Sequence, residues 1–510
     1  MAADTLADAA PGLDKRRLHL LFAGLMVGLL LSELEQNIFA TAMPTIVAEL
    51  EGVDQMLWVT TPYVVAATVT MPVYGKLGDL VGRRPLFIAA VLIFMAGSVV
   101  GGLAPDMTWL VIGRTIQGLG GGGLLILVQA IVADVVPARE RAWYLSLISA
   151  MFALAAVLGP LLGGWLTEGP GWRWAFWINL PLGALTIAAA VCLLRLPARR
   201  PTRVSIDGWG ITTMTLAVTC LVLLTSWGGT TYAWSSPVVL VLAAVAVAAG
   251  VVFVLVERRA AQPIIPLHLF AERNFTVPTI VGLLTAVAMF GAIAYLPTYL
   301  QMVTGMGAVR SGMLLLSLIA GLGLATVASA RVVSRTGRYK EIPVVGCTAV
   351  AVALGLLSTL EVGTPLELVG GYLLLLGLGI GCVLQILVVI VQNTFSAAEV
   401  GTATAANNFF REVGVSLGSA LVGALFTSRL QVLLAERLPA AARAGIDTNT
   451  LSPDTVQQLT EASRAAVVSS YNDALTPVLL YLVPLMALSA VALLLVRAVP
   501  LATTIEPSDD

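Results

Sequence analysis

Charge is scarce in this chain: Asp, Glu, Lys and Arg make up only 11% of 510 residues, against roughly 25% in an ordinary soluble domain. A water-soluble fold cannot be clad with so few charges. Histidine is limited to His19 and His268, both beside the ends of apolar runs, which excludes a relay of histidines through a membrane. The four cysteines, Cys192, Cys220, Cys347 and Cys382, fall inside apolar runs. They show no disulfide or metal spacing, so each reads as a small packing residue and no metal site is expected. No Gly-Lys-Ser/Thr phosphate loop and no nucleophile–histidine pair occur, which argues against ATP as energy source and against an enzyme. A net charge of -1 gives no general attraction to nucleic acid. No cleavable leader is expected, because the first apolar run is too long and lacks a small-residue cleavage site.

Apolar residues are what the chain has in abundance, at 58% and a mean hydropathy of +0.93. Together these values describe an all-α polytopic membrane protein. Runs of about 20 apolar residues give fourteen candidate spans, near 18–42, 56–75, 85–104, 108–133, 143–166, 174–195, 208–227 and 236–256, then 275–300, 311–332, 342–360, 368–393, 401–428 and 475–497. Breakers such as Pro105, Pro137, Gly169-Pro170, Pro237 and Gly363 to Pro365 separate them. Most of the 28 basic residues fall on one side of this map. They are Lys15 to Arg17, Lys76, Arg83, Arg84, Arg139, Arg141, Arg195, Arg199, Arg200, Arg203, Arg258, Arg259, Arg273, Arg331, Arg335, Arg338, Lys340 and Arg497. The opposite side carries Glu49, Glu51, Asp54, Asp106, Glu168 and Glu361. By the positive-inside rule both termini are cytoplasmic.

Glycines suggest an internal repeat. Gly118-Leu-Gly-Gly-Gly122 returns as Gly377-Leu-Gly-Ile-Gly381, and the same offset maps Gly159 onto Gly418 and Gly164 onto Gly423. A near-equal offset maps Gly82-Arg83 onto Gly337-Arg338. The chain then divides into a cytoplasmic tail (1–17), a six-helix bundle (18–200) and two inserted helices (201–260). A second six-helix bundle (261–497), interrupted by an outer segment at 429–474, and a cytoplasmic tail (498–510) complete it.

Several patterns carry chemistry. The first span holds Glu33 and Glu35 beside Gln36 and Asn37. A carboxylate inside a spanning segment costs a few kcal/mol on insertion scales, so these acids are candidate proton carriers, or else one of them pairs with an arginine to join two helices. They lie about 200° apart around a helix, so only one faces a central cavity directly. The fourth span holds Gly113-Arg114 and a run of glycines; Arg114 needs a partner, and counted depths place it roughly one turn from Glu35. Its repeat partner is Leu373, so proton chemistry is weighted to the first half. Between the second and third spans, Gly75, Gly78 and Gly82 let helices and their loop approach closely, while Asp79 with Lys76, Arg83 and Arg84 can form a charge cluster. In the fifth span, Gly159-Pro160 and Gly163-Gly164 read as a close-packing face with a bend. Arg411-Glu412 sits about 15 Å into the thirteenth span, its charges about 100° apart and under no need to pair. Gln36, Trp58, Tyr63, Tyr295, Gln385 and Asn408 are candidate cavity-lining residues. At 429–474, Ser452-Pro453 can start a helix with Val456, Leu459, Val467 and Tyr471 as its apolar stripe; a surface connector and a lid over the outer mouth are both compatible with this.

On these residues the chain resembles a fourteen-helix drug:proton antiporter of the major facilitator superfamily, the QacA/EmrB-like group. The resemblance spans the whole chain. It rests on Glu35, the 75–85 segment, Arg114, the Gly159-to-Gly164 pattern, Trp172 to Gly183, Asp207 to Gly210, and Asn407 to Gly414. It departs from the family where Glu35-Gln36-Asn37 replaces the usual Asp-x-Thr. The resemblance implies the major facilitator fold, gating by the 75–85 segment, an export-associated fifth helix, and proton coupling by the first-helix acid and Arg114. It also implies a proton gradient in place of any cofactor, small amphipathic and often cationic substrates, and a monomer in a bacterial cytoplasmic membrane. Arginine used far more than lysine, with abundant alanine and glycine, suits a GC-rich bacterium. An exporter dedicated to one metabolite, antibiotic or lipid is the alternative. A non-transporting receptor or scaffold would leave Glu33, Glu35 and Arg114 without a purpose.

Overall fold

A computed structural model describes residues 15–52, 55–194, 207–229, 231–438 and 453–503. Asp54, Arg195, Arg199, Arg200, Arg203, Ser452 and most of the tails expected at 1–17 and 498–510 lie outside these residues. Apolar side chains on every face force the chain into helices, because only a helix satisfies each backbone N–H and C=O internally where no water is available. The first six-helix unit contains α1 (Lys15–Glu49), α2 (Leu57–Val81), α3 (Arg83–Gly102), α4 (Met107–Val135), α5 (Ala138–Glu168) and the pair α6 (Trp174–Trp177) and α7 (Asn179–Leu193). Two inserted helices follow, α8 (Gly208–Trp227) and α9 (Pro237–Glu257). The second unit contains α10 (Arg273–Ile293) with its continuation α11 (Leu296–Thr304), then α12 (Ala308–Thr336), α13 (Glu341–Leu357), α14 (Leu366–Gln392), α15 (Val400–Arg437), α16 (Pro453–Gln457) and α17 (Glu461–Leu493). Among the described residues, thirteen helical stretches are long and apolar enough to cross a membrane, and the shorter apolar helix α13 makes a fourteenth. The protein is a multi-pass membrane protein with an all-helical fold.

Glycines build the contacts that the repeat anticipates. A Cβ at Gly118 or Gly122 would overlap backbone of α2, at Tyr63 and Ala67, and one at Gly377 or Gly381 would overlap backbone of α12, at Leu318 and Leu322. Helices α4 and α14 therefore hold the same position in their two units, each pressed onto its second helix. Gly159 meets Asn37 of α1, and its repeat partner Gly418 meets Val287 of α10. Gly82 and Gly337 both end a helix with positive φ, 100° and 72°, where a side chain would strain the backbone. The two units meet where α2 packs on α15 and α5 on α12, while α8 rests on both α2 and α15.

Three sequence boundaries are corrected. The 75–85 segment is not a loop: α2 runs to Val81 and α3 starts at Arg83, leaving Gly82 as the whole turn. The outer segment at 429–474 begins and ends as extensions of α15 and α17, because Leu430 and Leu434 bury in the same cluster as Val456, Val467 and Tyr471. Nor is 498 the start of a free tail. Arg497 and Asn274 exchange two hydrogen bonds (2.8 and 3.0 Å), Tyr339 Oη binds Val499 N and O (2.7 and 2.9 Å), and Arg139 N donates to Ala502 O (3.1 Å).

The glycine contacts give a stability prediction. Gly122→Val and Gly381→Val must each separate two backbones, and we expect a cost of about 3 kcal/mol or more, the upper end of overpacking penalties. Gly164, with nothing within 4 Å of a built Cβ, should accept alanine within about 0.5 kcal/mol. Thermal unfolding of purified protein in detergent checks this; a Gly122→Val variant that melts with the parent would mean α2 and α4 are not in backbone contact.

Candidate functional site

The deepest charges belong to α1 and α4. Close approach of α3 and α4 comes first: a Cβ on Gly97 would fall 2.5 Å from Gln117 N, and one on Gly113 would fall 2.6 Å from Gly101 N. That proximity brings Ser98 of α3 and Gln117 of α4 together, opposite Glu35 of α1. Glu35 is 1% exposed and Arg114 fully buried. Arg114 Nη1 lies 3.3 Å from Glu35 Oε1 and 3.1 Å from Gln117 Oε1, and its Nε donates to Val59 O at 3.3 Å. Gln117 Nε2 donates to the same Glu35 oxygen at 2.6 Å and to Ser98 Oγ at 2.8 Å. On the other carboxylate oxygen, Asn179 Nδ2 of α7 donates at 3.0 Å. The guanidinium also lies 4.3 Å from the Tyr63 ring centroid and 4.7 Å from that of Phe39, so aromatic faces replace part of its lost hydration. Every polar neighbour presents a donor to Glu35, which fits its ionised form. Removing one partner of such a buried pair costs about 3–5 kcal/mol, because the other charge is left uncompensated.

Glu33 behaves differently. It is half-buried and lies within electrostatic reach of Arg411 and Glu412 on α15. Arg411 and Glu412, whose directions around α15 do not require them to pair, approach to 3.6 Å, with side chains 15% and 27% exposed. A distance of 3.6 Å is long for a hydrogen bond, so this pair is loose where Glu35–Arg114 is embedded. The two first-helix acids thus serve different surroundings, one inside the first bundle and one turned toward the second.

A second polar assembly closes the end of the molecule where the basic residues gather. Asp79 accepts from Arg83 Nη2 (2.9 Å), Gly401 N (3.2 Å), Thr402 N (2.7 Å) and Thr402 Oγ1 (2.8 Å). It therefore caps the first turn of α15, where free N–H groups and the helix dipole favour an anion. Arg83 also pairs with Asp134 and reaches the carbonyls of Ala130 and Ala397. Arg84 donates to Val191 O of α7 at 2.7 Å. Gly75 serves α15 and not α3, since a Cβ there would overlap Ala405. Gly78 packs beside Leu127 and Arg83.

Sequence reasoning missed the other half of this closure. Arg139 donates to Ser334 O (3.0 Å) and Arg335 O (2.6 Å) of α12, and Arg141 to Gln392 O (3.0 Å) of α14. Beneath them Asn408 Nδ2 donates to Gln129 Oε1 (2.8 Å) and Gln392 Nε2 to Gln129 O (3.0 Å), across the two units. A signal was present: two arginines in the first turn of α5 oppose its dipole, so they need acceptors elsewhere.

The remaining candidates separate. Gly159 and Gly163 face α1, at Asn37, Ile38 and Thr41, whereas Gly164 meets nothing and Pro160 is exposed. The six cavity candidates do not converge on one cavity. Tyr63 lies within the first bundle under Arg114, and Trp58 sets its ring against Trp227 of α8. Tyr295 Oη donates to Ser419 O at 3.3 Å inside the second bundle. Gln385 donates to Ser149 Oγ at 2.9 Å, and Asn408 to Gln129, both at the seam. Gln36 on α1 is half-buried.

Comparison with known proteins fits this architecture. A sequence model described as Major Facilitator Superfamily matches residues 25–419. An uncharacterised MFS-type transporter of Mycobacterium tuberculosis (strain ATCC 25618 / H37Rv) is 41% identical over 505 residues, covering 98% of this chain and 72% of its own. The multidrug transporter protein MdtP of Bacillus subtilis (strain 168) is 35% identical over 472 residues, covering 88% and 86%. In fold, the chain is similar to the human organic anion transporter MFSD10 (TETRAN), with a TM-score of 0.62 at 16% identity, covering 93% of this chain and 99% of that one. These proteins are transporters, not enzymes.

The closed end yields its own prediction. In Asp79→Asn one carboxylate oxygen becomes an NH2 group facing other donors, so part of the cap on α15 is lost. We expect the closed conformer to lose about 1–3 kcal/mol, a typical coupling energy, which raises the labelling rate of a cysteine placed at Asn408 by about 5- to 150-fold. Labelling no faster than in the parent cysteine variant would mean that Asp79 does not hold this end closed.

Proposed function

The chain belongs to the major facilitator superfamily, and from that premise we propose that it is a proton-coupled exporter of amphipathic, often cationic compounds. In this reading it is a fourteen-helix drug:proton antiporter working as a monomer in a bacterial cytoplasmic membrane, with a proton gradient in place of any cofactor. The observation that carries the proposal is Glu35: a carboxylate in the bilayer, held by donors only, whose countercharge is an arginine that cannot give up its proton. Protonating Glu35 removes the ion pair and leaves Arg114 as a lone buried cation. That state is costly where it stands, so it favours a rearranged first bundle in which Arg114 finds other acceptors or water.

With the basic end inside, as the positive-inside rule favours, the closure by Asp79, Arg139 and Arg141 makes this an outward-facing conformer. A proton reaching Glu35 from outside then accompanies substrate release. Reversal of the two units exposes Glu35 to the cytoplasm, where the proton leaves and substrate binds. The loose Arg411–Glu412 pair and Glu33 supply charges between the units without satisfying one another fully, which suits recognition of a charged organic molecule. The name of the Bacillus subtilis relative, a multidrug transporter, supports a substrate range of several organic compounds.

The test is ethidium efflux from proteoliposomes under an imposed pH gradient. Glu35→Gln keeps the side-chain volume but cannot take up or release a proton, so gradient-driven efflux should fall to the protein-free rate while the variant stays monodisperse in detergent. Full gradient-driven efflux in Glu35→Gln together with its loss in Glu33→Gln would transfer the carrier role to Glu33.

A further inference from the structure

Asn179 has no evident duty in the scaffold. It opens α7, directly after the N-cap residue Ile178, and it is 2% exposed. The rest of α7 is apolar apart from Thr186, which bonds its own helix at Leu182 O. An amide is not placed in an apolar helix without cost unless it is hydrogen-bonded. Its Nδ2 donates both to Glu35 Oε2 and to Ser98 Oγ, each at 3.0 Å. Ser98 in turn accepts from Gln117 and donates to Phe94 O at 3.0 Å.

The division of donors over the carboxylate is uneven. Arg114 and Gln117 both act on Oε1, while Asn179 is the donor recorded on Oε2 among the described residues. Oε2 is therefore the oxygen with room for a proton, and the Asn179 NH2 points at it. A proton arriving there would set two donors against each other. Relief requires the amide to turn over and present Oδ1, which gives up the bond to Ser98. Arg114 on α4, Tyr63 on α2 and Glu33 on the same helix are the titratable or charged groups nearby; α3 and α7 contribute only neutral Ser98 and Asn179.

We propose that Asn179 is a positioning residue that holds Glu35 in its charged form and so sets the pH at which Glu35 takes up its proton. The inference rests on the reading of Glu35 as the proton carrier. It also gives a purpose to the tryptophan-rich segment before α7. Phe176 packs on Phe39 with ring centroids 4.8 Å apart, and Trp172 Nε1 donates to Glu49 Oε2 at 2.7 Å. Both contacts tie the approach to Asn179 onto α1, the helix that carries Glu35.

The experiment follows the infrared carbonyl band of protonated Glu35 against pH in the purified full chain, the band being assigned by its disappearance in Glu35→Gln. Asn179→Leu removes the donor, and its titration midpoint should move to higher pH, equivalent to about tenfold tighter proton binding for loss of one hydrogen bond to a charged acceptor. Asn179→Asp, nearly isosteric, should move it further in the same direction because it adds a like charge. Ethidium efflux should shift its pH profile the same way in both variants. A parental midpoint in both, with the band still lost in Glu35→Gln, would make Asn179 a packing residue and overturn the inference. A band that survives Glu35→Gln would instead overturn the carrier reading and this inference with it.

Discussion

Everything polar in the first bundle is arranged around one constraint: Arg114 carries a permanent charge in a place without water. The guanidinium cannot neutralise itself, so the surroundings must supply an anion, acceptors and polarizable faces. Glu35, Gln117, Val59 O, Tyr63 and Phe39 do so from three helices. Even then Arg114 Nη2 is buried without a hydrogen-bond partner among the described residues. The carboxylate is thus the variable member of the pair, and any change in its charge is felt by every helix that touches the arginine. The second bundle repeats the packing but not the charge, since Leu373 stands where Arg114 would and is fully buried.

Such a site exists only because backbones come close. Gly97, Gly101 and Gly113 bring α3 onto α4, and Gly118 and Gly122 bring α2 onto α4. In lipid there is no hydrophobic force between helices, so this close packing and the polar contacts that it enables hold the bundle together. Helix α4 is consequently gripped on two sides along the stretch between its two functional ends. Arg114 and Gln129 are fifteen residues apart, about 22 Å of helix.

How much of this was legible depended on whether a residue's signal was local. Fourteen apolar runs were plain because a span must be long and apolar wherever it packs. Their ends were not: α15 continues to Arg437 because Leu430 and Leu434 find a buried partner surface on α17, a tertiary fact invisible to a hydropathy run. The glycines at 75–85 suggested a loop, yet only Gly82 takes positive φ; Gly75 and Gly78 are glycines for packing. Glu35 and Arg114 announced themselves by charge, and their contact agrees with the depth count. Asn179, Ser98 and Gln129 are neutral and gave no such signal, since an amide in an apolar run is conspicuous only when its partner is known. The partition of Glu33 from Glu35 followed from helical angle alone, whereas the side on which each would fall did not.

The gripped α4 also joins the two polar assemblies mechanically. At one end it bears Arg114 and Gln117; at the other, Gln129 meets Asn408 and Gln392 of the second unit, and Asp134 meets Arg83. The amides at that seam are only partly satisfied, with Gln129 Nε2, Gln392 Oε1 and Asn408 Oδ1 all buried without partners among the described residues. An interface that uses fewer of its hydrogen bonds than it could is stabilised less than its buried area suggests, because each orphaned group keeps its desolvation cost. The charged contacts of Asp79, Arg83, Arg139 and Arg141 therefore carry this closure across an amide layer that is only partly satisfied.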